Sequence, residues 1–243
     1  MKYYSSNSWL PLNDDKIFYV ITEAKTVEDA MVLKADFIDL TYAEYLISSQ
    51  KFTINSIETS ILGAADCLLK IDNKYYFDQM SQKAFLKYLS KLKISLQSSK
   101  TAVLIGDELT ISQFLPPLTK LGYSDFICVV ENTESVSEFV QKIQKTFLGL
   151  KIQLLNFKQI PLIDSISSFL VVDINHSEQV ELVESLTYFN FLTTGSVFFD
   201  LRSAQSKELI EEALRAEMFV MDSVVYHSLR QSLAYEVLIK KIN

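Results

Sequence analysis

From residue 101 to residue 221 short apolar runs alternate with segments of helical period, and this alternation leaves few ways to build that part of the chain. Strands are predicted at Ala102–Ile105, Phe126–Val130, Lys151–Phe157, Ser168–Ile174, Ser196–Asp200 and Met218–Met221. Between them Thr110–Leu121, Glu134–Leu148, Ser177–Phe191 and Ser206–Ala216 are each long enough for a helix. Strands that are apolar throughout, rather than alternately, belong to a parallel sheet covered on both faces. Crossovers in such a sheet are right-handed, so the expected solution is a doubly wound, Rossmann-like lobe.

The flanking segments read differently. Asp78–Leu92 has Phe85, Leu89 and Leu92 near one stripe with Tyr88 beside them, a helix placed to connect two lobes. Val224–Ile242 carries Val225, Leu229, Leu233 and Val237 at successive i+4 steps and reads as a closing helix. Residues 1–77 mix polar loops with short strands at Ile17–Ile21, Phe37–Leu40 and Cys67–Ile71. The predicted fold is therefore α/β: a small N-terminal α/β lobe and a Rossmann-like parallel-sheet lobe, closed by a C-terminal helix. The small lobe takes residues 1–95 and 224–243, and the Rossmann-like lobe residues 96–223.

Composition narrows the function classes. A formal net charge of −7 disfavours non-specific binding to nucleic acid or to anionic lipid. No segment approaches the roughly 18 apolar residues of a membrane span, and MKYYSSNSWLPLNDDK lacks the apolar core of a signal peptide. A cytoplasmic protein with no direct membrane insertion is expected. Cys67 and Cys128 sit among apolar neighbours and read as reduced core thiols. Two histidines and two cysteines far apart provide no metal spacing, so no metal is expected. The chain has only 5 glycines, where average usage would give roughly 17. Few glycines leave few places for backbone to approach a phosphate closely.

The first strand-to-helix turn shows this directly. In "TAVLIGDELT" Gly106 is followed by Asp107, Glu108 and Leu109, where a dinucleotide site uses further glycines. A carboxylate about 4 Å from a phosphate costs about 4 kcal/mol at an effective dielectric of about 20. Leu109 would add about 1–2 kcal/mol if it kept a left-handed conformation.

The order of features over residues 57–242 resembles the shikimate dehydrogenase family. "GAADCLLKIDNKYYFDQMSQKAF" (63–85) has the length and rhythm of that family's substrate segment, with Gly63, Ala64 and Phe85 matching. The resemblance places Asp66 at the substrate-binding Asn, Ser81 at the catalytic Asp and Arg230 at the substrate-contacting Gln. Gln231 falls one position late. No motif matches the one that carries the family's catalytic Lys. The family's phosphate turn aligns with Gly106, Asp107, Glu108, Leu109 and Thr110, and its 2′-phosphate Arg with Asn132, which follows Glu131. "GSVFFDLRSAQSKELIEEALRAEMFVMDS" (195–223) keeps the family's strand–Asp–helix–strand run, with Ser223 for its last glycine. A second segment, "AKTVEDAMVLKADFIDLTYAEYL" (24–46), resembles the opening of a type I dehydroquinase, with Thr41 for the substrate-binding Arg and Ala43 for the following Asp.

Other candidates have simpler readings. Asp222, Ser223, His227 and Ser228 are neighbours in sequence, whereas a nucleophilic triad is defined in space, so a helix N-cap is the expected role of Asp222 or Ser223. His176 reads as a capping loop residue, and Glu211-Glu212 as a solvated helix face. Aromatic residues at Tyr3-Tyr4, Trp9, Tyr75-Tyr76-Phe77, Tyr188-Phe189-Phe191 and Phe198-Phe199 exceed what periodicity assigns to a core. Tyr75, Tyr76, Phe77, Tyr188, Phe189 and Phe191 are therefore candidate interface residues.

Taken together these residues predict no catalytic residue, no cofactor and other protein subunits as partners. The expected role is that of a non-catalytic shikimate-dehydrogenase-like pseudoenzyme serving as scaffold in a larger bacterial complex, a secretion or signalling assembly being one setting. The alternative is a divergent NAD(P)-dependent oxidoreductase or small-molecule binder related to shikimate and quinate dehydrogenases.

Overall fold

A computed structural model of the chain describes residues 2–5, 19–20, 23–51, 62–92, 101–164, 166–174, 192–202 and 207–240. The chain divides into two compact units, Met1–Leu92 with Val224–Asn243, and Lys93–Ser223.

The second unit is a six-stranded sheet made of β6 (Thr101–Ile105), β7 (Asp125–Val130), β8 (Lys151–Asn156), β9 (Ser167–Val172), β10 (Leu192–Asp200) and β11 (Phe219–Met221). All neighbouring strands run parallel, in the order β11-β10-β9-β6-β7-β8. The chain winds outward from β6 in one direction and from β9 in the other, so the order reverses between β6 and β9. Helices α4 (Glu108–Lys120), α5 (Thr133–Thr146) and α6 (Lys207–Arg215) lie between strands. The predicted helix 177–191 lies outside the described residues. Val103, Ile105, Ile127, Val129, Leu170, Val172 and Phe198 form one buried layer with Leu209 and Ala213 of α6. Phe199, one residue on, faces the other layer and meets Phe114 of α4 edge-on with ring centroids 6.0 Å apart. Successive side chains of a strand point to opposite faces, so a sheet covered on both sides buries Phe198 and Phe199 alike.

The first unit is a five-stranded sheet of β1 (Lys2–Tyr4), β2 (Tyr19–Val20), β3 (Phe37–Asp39), β4 (Cys67–Ile71) and β5 (Lys74–Asp78), ordered β2-β1-β3-β4-β5. The first three pair in parallel, and β4 and β5 join antiparallel. Asp72 and Asn73 turn the β4–β5 hairpin with φ of 50° and 60°, the conformation that a two-residue loop with right-handed strand twist requires. Helices α1 (Val27–Val32) and α2 (Tyr42–Ser49) each begin with a capping box, Thr26 with Asp29 and Thr41 with Glu44. Thr41, which stands where the dehydroquinase pattern has its substrate-binding Arg, is the cap of α2: Thr41 and Glu44 bond each other's backbone amides.

Helix α3 (Met80–Lys91) and helix α7 (Ser223–Lys240) complete this unit. The buried stripe of α7 is Tyr226, Arg230, Ala234 and Leu238. The predicted stripe, Val225, Leu229, Leu233 and Val237, lies one residue earlier; Val225 is 42% exposed and the others are half-buried. Periodicity locates the helix and misses its rotation by about 100°, because the centre of its buried face carries a charge.

Candidate functional site

Gly106 follows β6 at the point where the strand order reverses. A Cβ placed there would lie 2.6 Å from the backbone oxygen of Asp173 and closer still to Thr110 Oγ1. The glycine is thus required by close approach of the neighbouring strand's end. Asp107 then caps α4: its Oδ1 accepts from the Thr110 amide at 2.9 Å. The Thr110 hydroxyl lies 3.2 Å from Asp107 Oδ1 and 3.3 Å from Asp173 Oδ2. The cap starts the helix at Glu108, two residues earlier than predicted, and Leu109 is an ordinary residue of its first turn. Leu109 is not among the residues with positive φ, so the expected left-handed strain does not arise. Glu108 is half-buried, and burial raises its carboxyl above the ordinary 4.5, with the Asp107 charge adding to the effect. After β7, Asn132 caps α5, its Oδ1 accepting from the Glu134 amide at 2.9 Å and the Ser135 amide at 3.4 Å.

The first unit holds a second group. Asp66, Ser81 and Arg230, matched separately to family positions, do come together. Asp66 is buried just before β4, and its carboxylate accepts from the amides of Met80 at 2.9 Å and Ser81 at 2.6 Å. These are the first amides of α3, whose own N-cap residue Gln79 makes no side-chain capping bond. Asp66 therefore caps a helix that begins 14 residues later in sequence. Arg230 Nη2 donates to the Asp66 backbone oxygen at 3.0 Å, and Nε lies 3.5 Å from Asp66 Oδ2. The same Nη2 is 2.5 Å from Asp39 Oδ1. The guanidinium also lies 5.5 Å above the ring of Phe37, and the Tyr3 hydroxyl donates to Asp39 Oδ2. In the same unit, Lys83 Nζ is 2.7 Å from both oxygens of Asp78.

Burial opposes the Arg230 charge, but the carboxylates of Asp39 and Asp66 more than offset it and hold its pKa above the ordinary value. Burial also raises the Tyr3 hydroxyl, reinforced by Asp39, and the Cys67 thiol, reinforced by Asp66. Neither ionises near neutral pH. His227 goes the other way: burial, helped by the Arg230 charge, pushes it from 6.5 down to about 3. The unfolded chain thus takes up a proton below 6.5 that the folded chain refuses, and stability falls as pH drops from 6.5 towards 3. The slope is about 1.4 kcal/mol per pH unit. Between pH 7 and pH 5 the parent should therefore lose about 2 kcal/mol more than His227→Gln, measured by denaturant titration of both. Equal losses would place His227 in a solvated setting.

The remaining candidates distribute as follows. Phe77 is wholly buried, against the expectation that it faces a partner, because its register on β5 turns it inward against Tyr45 at 5.2 Å between ring centroids. Tyr3, Tyr4, Phe198 and Phe199 are likewise core. Tyr75 is half-buried and donates to the Ala35 carbonyl at 2.9 Å, and Tyr76 packs on the core of the small sheet. Tyr188, Phe189, Phe191, Trp9 and His176 lie outside the described residues. Asp222 immediately precedes α7. Glu211 and Glu212 pair with Arg215 on the outside of α6. Sequence reasoning misses Asp39, whose available signal is an acid inside the apolar run "FIDL". Among the described residues no group of three or more His, Cys, Asp or Glu could hold a metal, and no helix is long and apolar enough to cross a membrane.

Comparison with known proteins identifies the fold. No protein-family model matches the sequence, and no curated protein matches it. Solved structures do match in three dimensions. The shikimate 5-dehydrogenase of Listeria monocytogenes, in complex with shikimate and NAD, superposes with a TM-score of 0.75 at 11% identity, covering 99% of this chain and 91% of that one. The quinate dehydrogenase of Corynebacterium glutamicum, in complex with NAD, gives 0.75 at 11% identity over 98% and 93%. The shikimate dehydrogenase of Aquifex aeolicus gives 0.65 at 16% identity over 91% and 79%. The chain has the shikimate and quinate dehydrogenase fold.

Proposed function

We propose that the chain is a non-catalytic protein built on the shikimate dehydrogenase fold, whose role is to bind other proteins as a scaffold subunit of a larger assembly. The observation that carries this reading is the Asp107 carboxylate at the start of α4, bonded to the Thr110 amide at 2.9 Å. In a dinucleotide site of this architecture the positive end of that helix receives the pyrophosphate. Here it carries its own anion, with Glu108 and Asp173 beside it. The residues present do not fit a dinucleotide. Each carboxylate held about 4 Å from a phosphate opposes binding by about 4 kcal/mol. Asn132, at the place of a 2′-phosphate cation, is neutral and spent on capping α5. In the small unit, Ser81 offers no proton-transfer group at the catalytic Asp position, and Arg230 is paired with Asp39 and Asp66.

The test is calorimetric titration with NADP and NAD, alone and with shikimate or quinate. Binding should be weaker than about 1 mM, and absorbance at 340 nm should not rise above a heat-killed control. Micromolar affinity with protein-dependent turnover would instead support the divergent oxidoreductase, the reading that the similarity to shikimate and quinate dehydrogenases favours. Affinity purification from the source cell should recover a stoichiometric protein partner; recovery of the chain alone would remove the scaffold role.

A further inference from the structure

Helix α7 has two adjacent faces that could pack. One is aliphatic: Val225, which is exposed, Leu229, which is half-buried, and Leu233 and Val237, which are partly buried against the small-sheet core. The other, which the structure buries, is Tyr226, Arg230, Ala234 and Leu238. Hydrophobicity alone favours the first, since the second has an arginine at its centre and an alanine next to it. On the observed face Ala234 and Leu238 meet Tyr3, Phe37, Leu69 and Met80. Arg230 lies between Asp39 at the end of β3 and Asp66 just before β4, 2.5 Å and 3.5 Å away. A rotation by one residue, about 100°, would take the guanidinium off both carboxylates and leave two acids buried without their cation. That is costly in a way that no exchange of valine for alanine repays.

We propose that Arg230 is the rotational key of the closing helix: the Asp39–Arg230–Asp66 pairing, not the apolar pattern, selects which face of α7 packs on the small sheet. A single buried polar residue that specifies register among competing apolar packings is a known use of such groups. Tyr226 supports the same face, its hydroxyl reaching the Ser81 carbonyl at 3.5 Å. The proposal does not depend on the scaffold role, since it concerns assembly of the small unit alone.

Thiol labelling reads the face directly, because Cys67 and Cys128 are both buried. A cysteine at position 225 or 234 is introduced in turn, in the parent and in Arg230→Gln, which removes the cation without making its face apolar. In the parent, Val225→Cys should react quickly with a maleimide and Ala234→Cys slowly. With Arg230→Gln the order should reverse, position 225 slowing and position 234 quickening by about tenfold or more. Arg230→Lys, which keeps a cation between the acids, should preserve the parental order. An unchanged order in folded Arg230→Gln would overturn the proposal. So would fast labelling at both positions, which would mean that Arg230 holds the helix on the sheet without choosing its face. If Arg230→Gln does not fold, the double variant Asp66→Asn, Arg230→Gln carries the same test with the same two overturning results.

Discussion

Asp66→Ala is expected to destabilise the chain by about 3–5 kcal/mol, enough to unfold a marginal domain at 37 °C. One carboxylate here serves three partners: the Met80 amide, the Ser81 amide and the Arg230 guanidinium. Its removal leaves α3 without a cap, with the buried Met80 and Ser81 amides unsatisfied at about 1–3 kcal/mol each, and takes from Arg230 one of its two carboxylates. Asp66→Asn, which installs the residue that the family resemblance assigns to this position, should still lose about 2 kcal/mol. Either orientation of the amide turns its NH2 towards a donor, the Met80 amide or the Ser81 amide with the Arg230 side chain behind it. Arg230→Gln should cost more in the parent, where it leaves both Asp39 and Asp66 without their cation, than in Asp66→Asn, where it leaves only Asp39. Thermal or urea denaturation of the parent, the two single variants and the double variant measures the coupling. Strict additivity would show that the two residues do not act as a pair.

Gly106→Ala is expected to cost about 3 kcal/mol, at the upper end of what overpacking usually does. The added methyl would stand 2.6 Å from the Asp173 backbone oxygen. That oxygen belongs to the residue after β9, held beside the sheet by the Asp173 amide bonding the Ile105 carbonyl at 2.8 Å, and cannot swing aside as a side chain would. The Thr110 hydroxyl would also have to leave the capping box. Gly122→Ala is the control: no atom lies within 4 Å of a Cβ there, and its φ of +97° makes backbone strain the sole penalty, about 1–2 kcal/mol. Equal melting temperatures for Gly106→Ala and the parent would mean that the two strand ends are looser than these distances imply.

The two sites differ in how much of each is local in sequence. At the turn after β6, Gly106, Asp107 and Thr110 are within five residues of one another, and a capping box is a local pattern, so the loss of a phosphate turn is legible there. Less legible is that the acid completes a cap, which moves the helix start to Glu108 and relieves Leu109 of strain. The hairpin at Asp72-Asn73 is equally local. Two adjacent residues that tolerate the left-handed conformation are its signal, and the register they set puts Phe77 in the core rather than on a partner-facing surface.

The charged group in the small unit is of another kind. Asp39, Asp66 and Arg230 are up to 191 residues apart in sequence (230 − 39), and nothing near any one of them states that the others are its partners. The sequence by itself determined the parallel sheet, its strands and the existence of a closing helix, because each depends on a periodicity that short-range packing imposes. It also determined that the first turn is acidic. Only the tertiary structure decided which face of α7 is buried, which carboxylate caps α3 and which aromatic residues are core. Those choices rest on contacts between distant segments, where one buried cation between two carboxylates outweighs the difference between two apolar stripes.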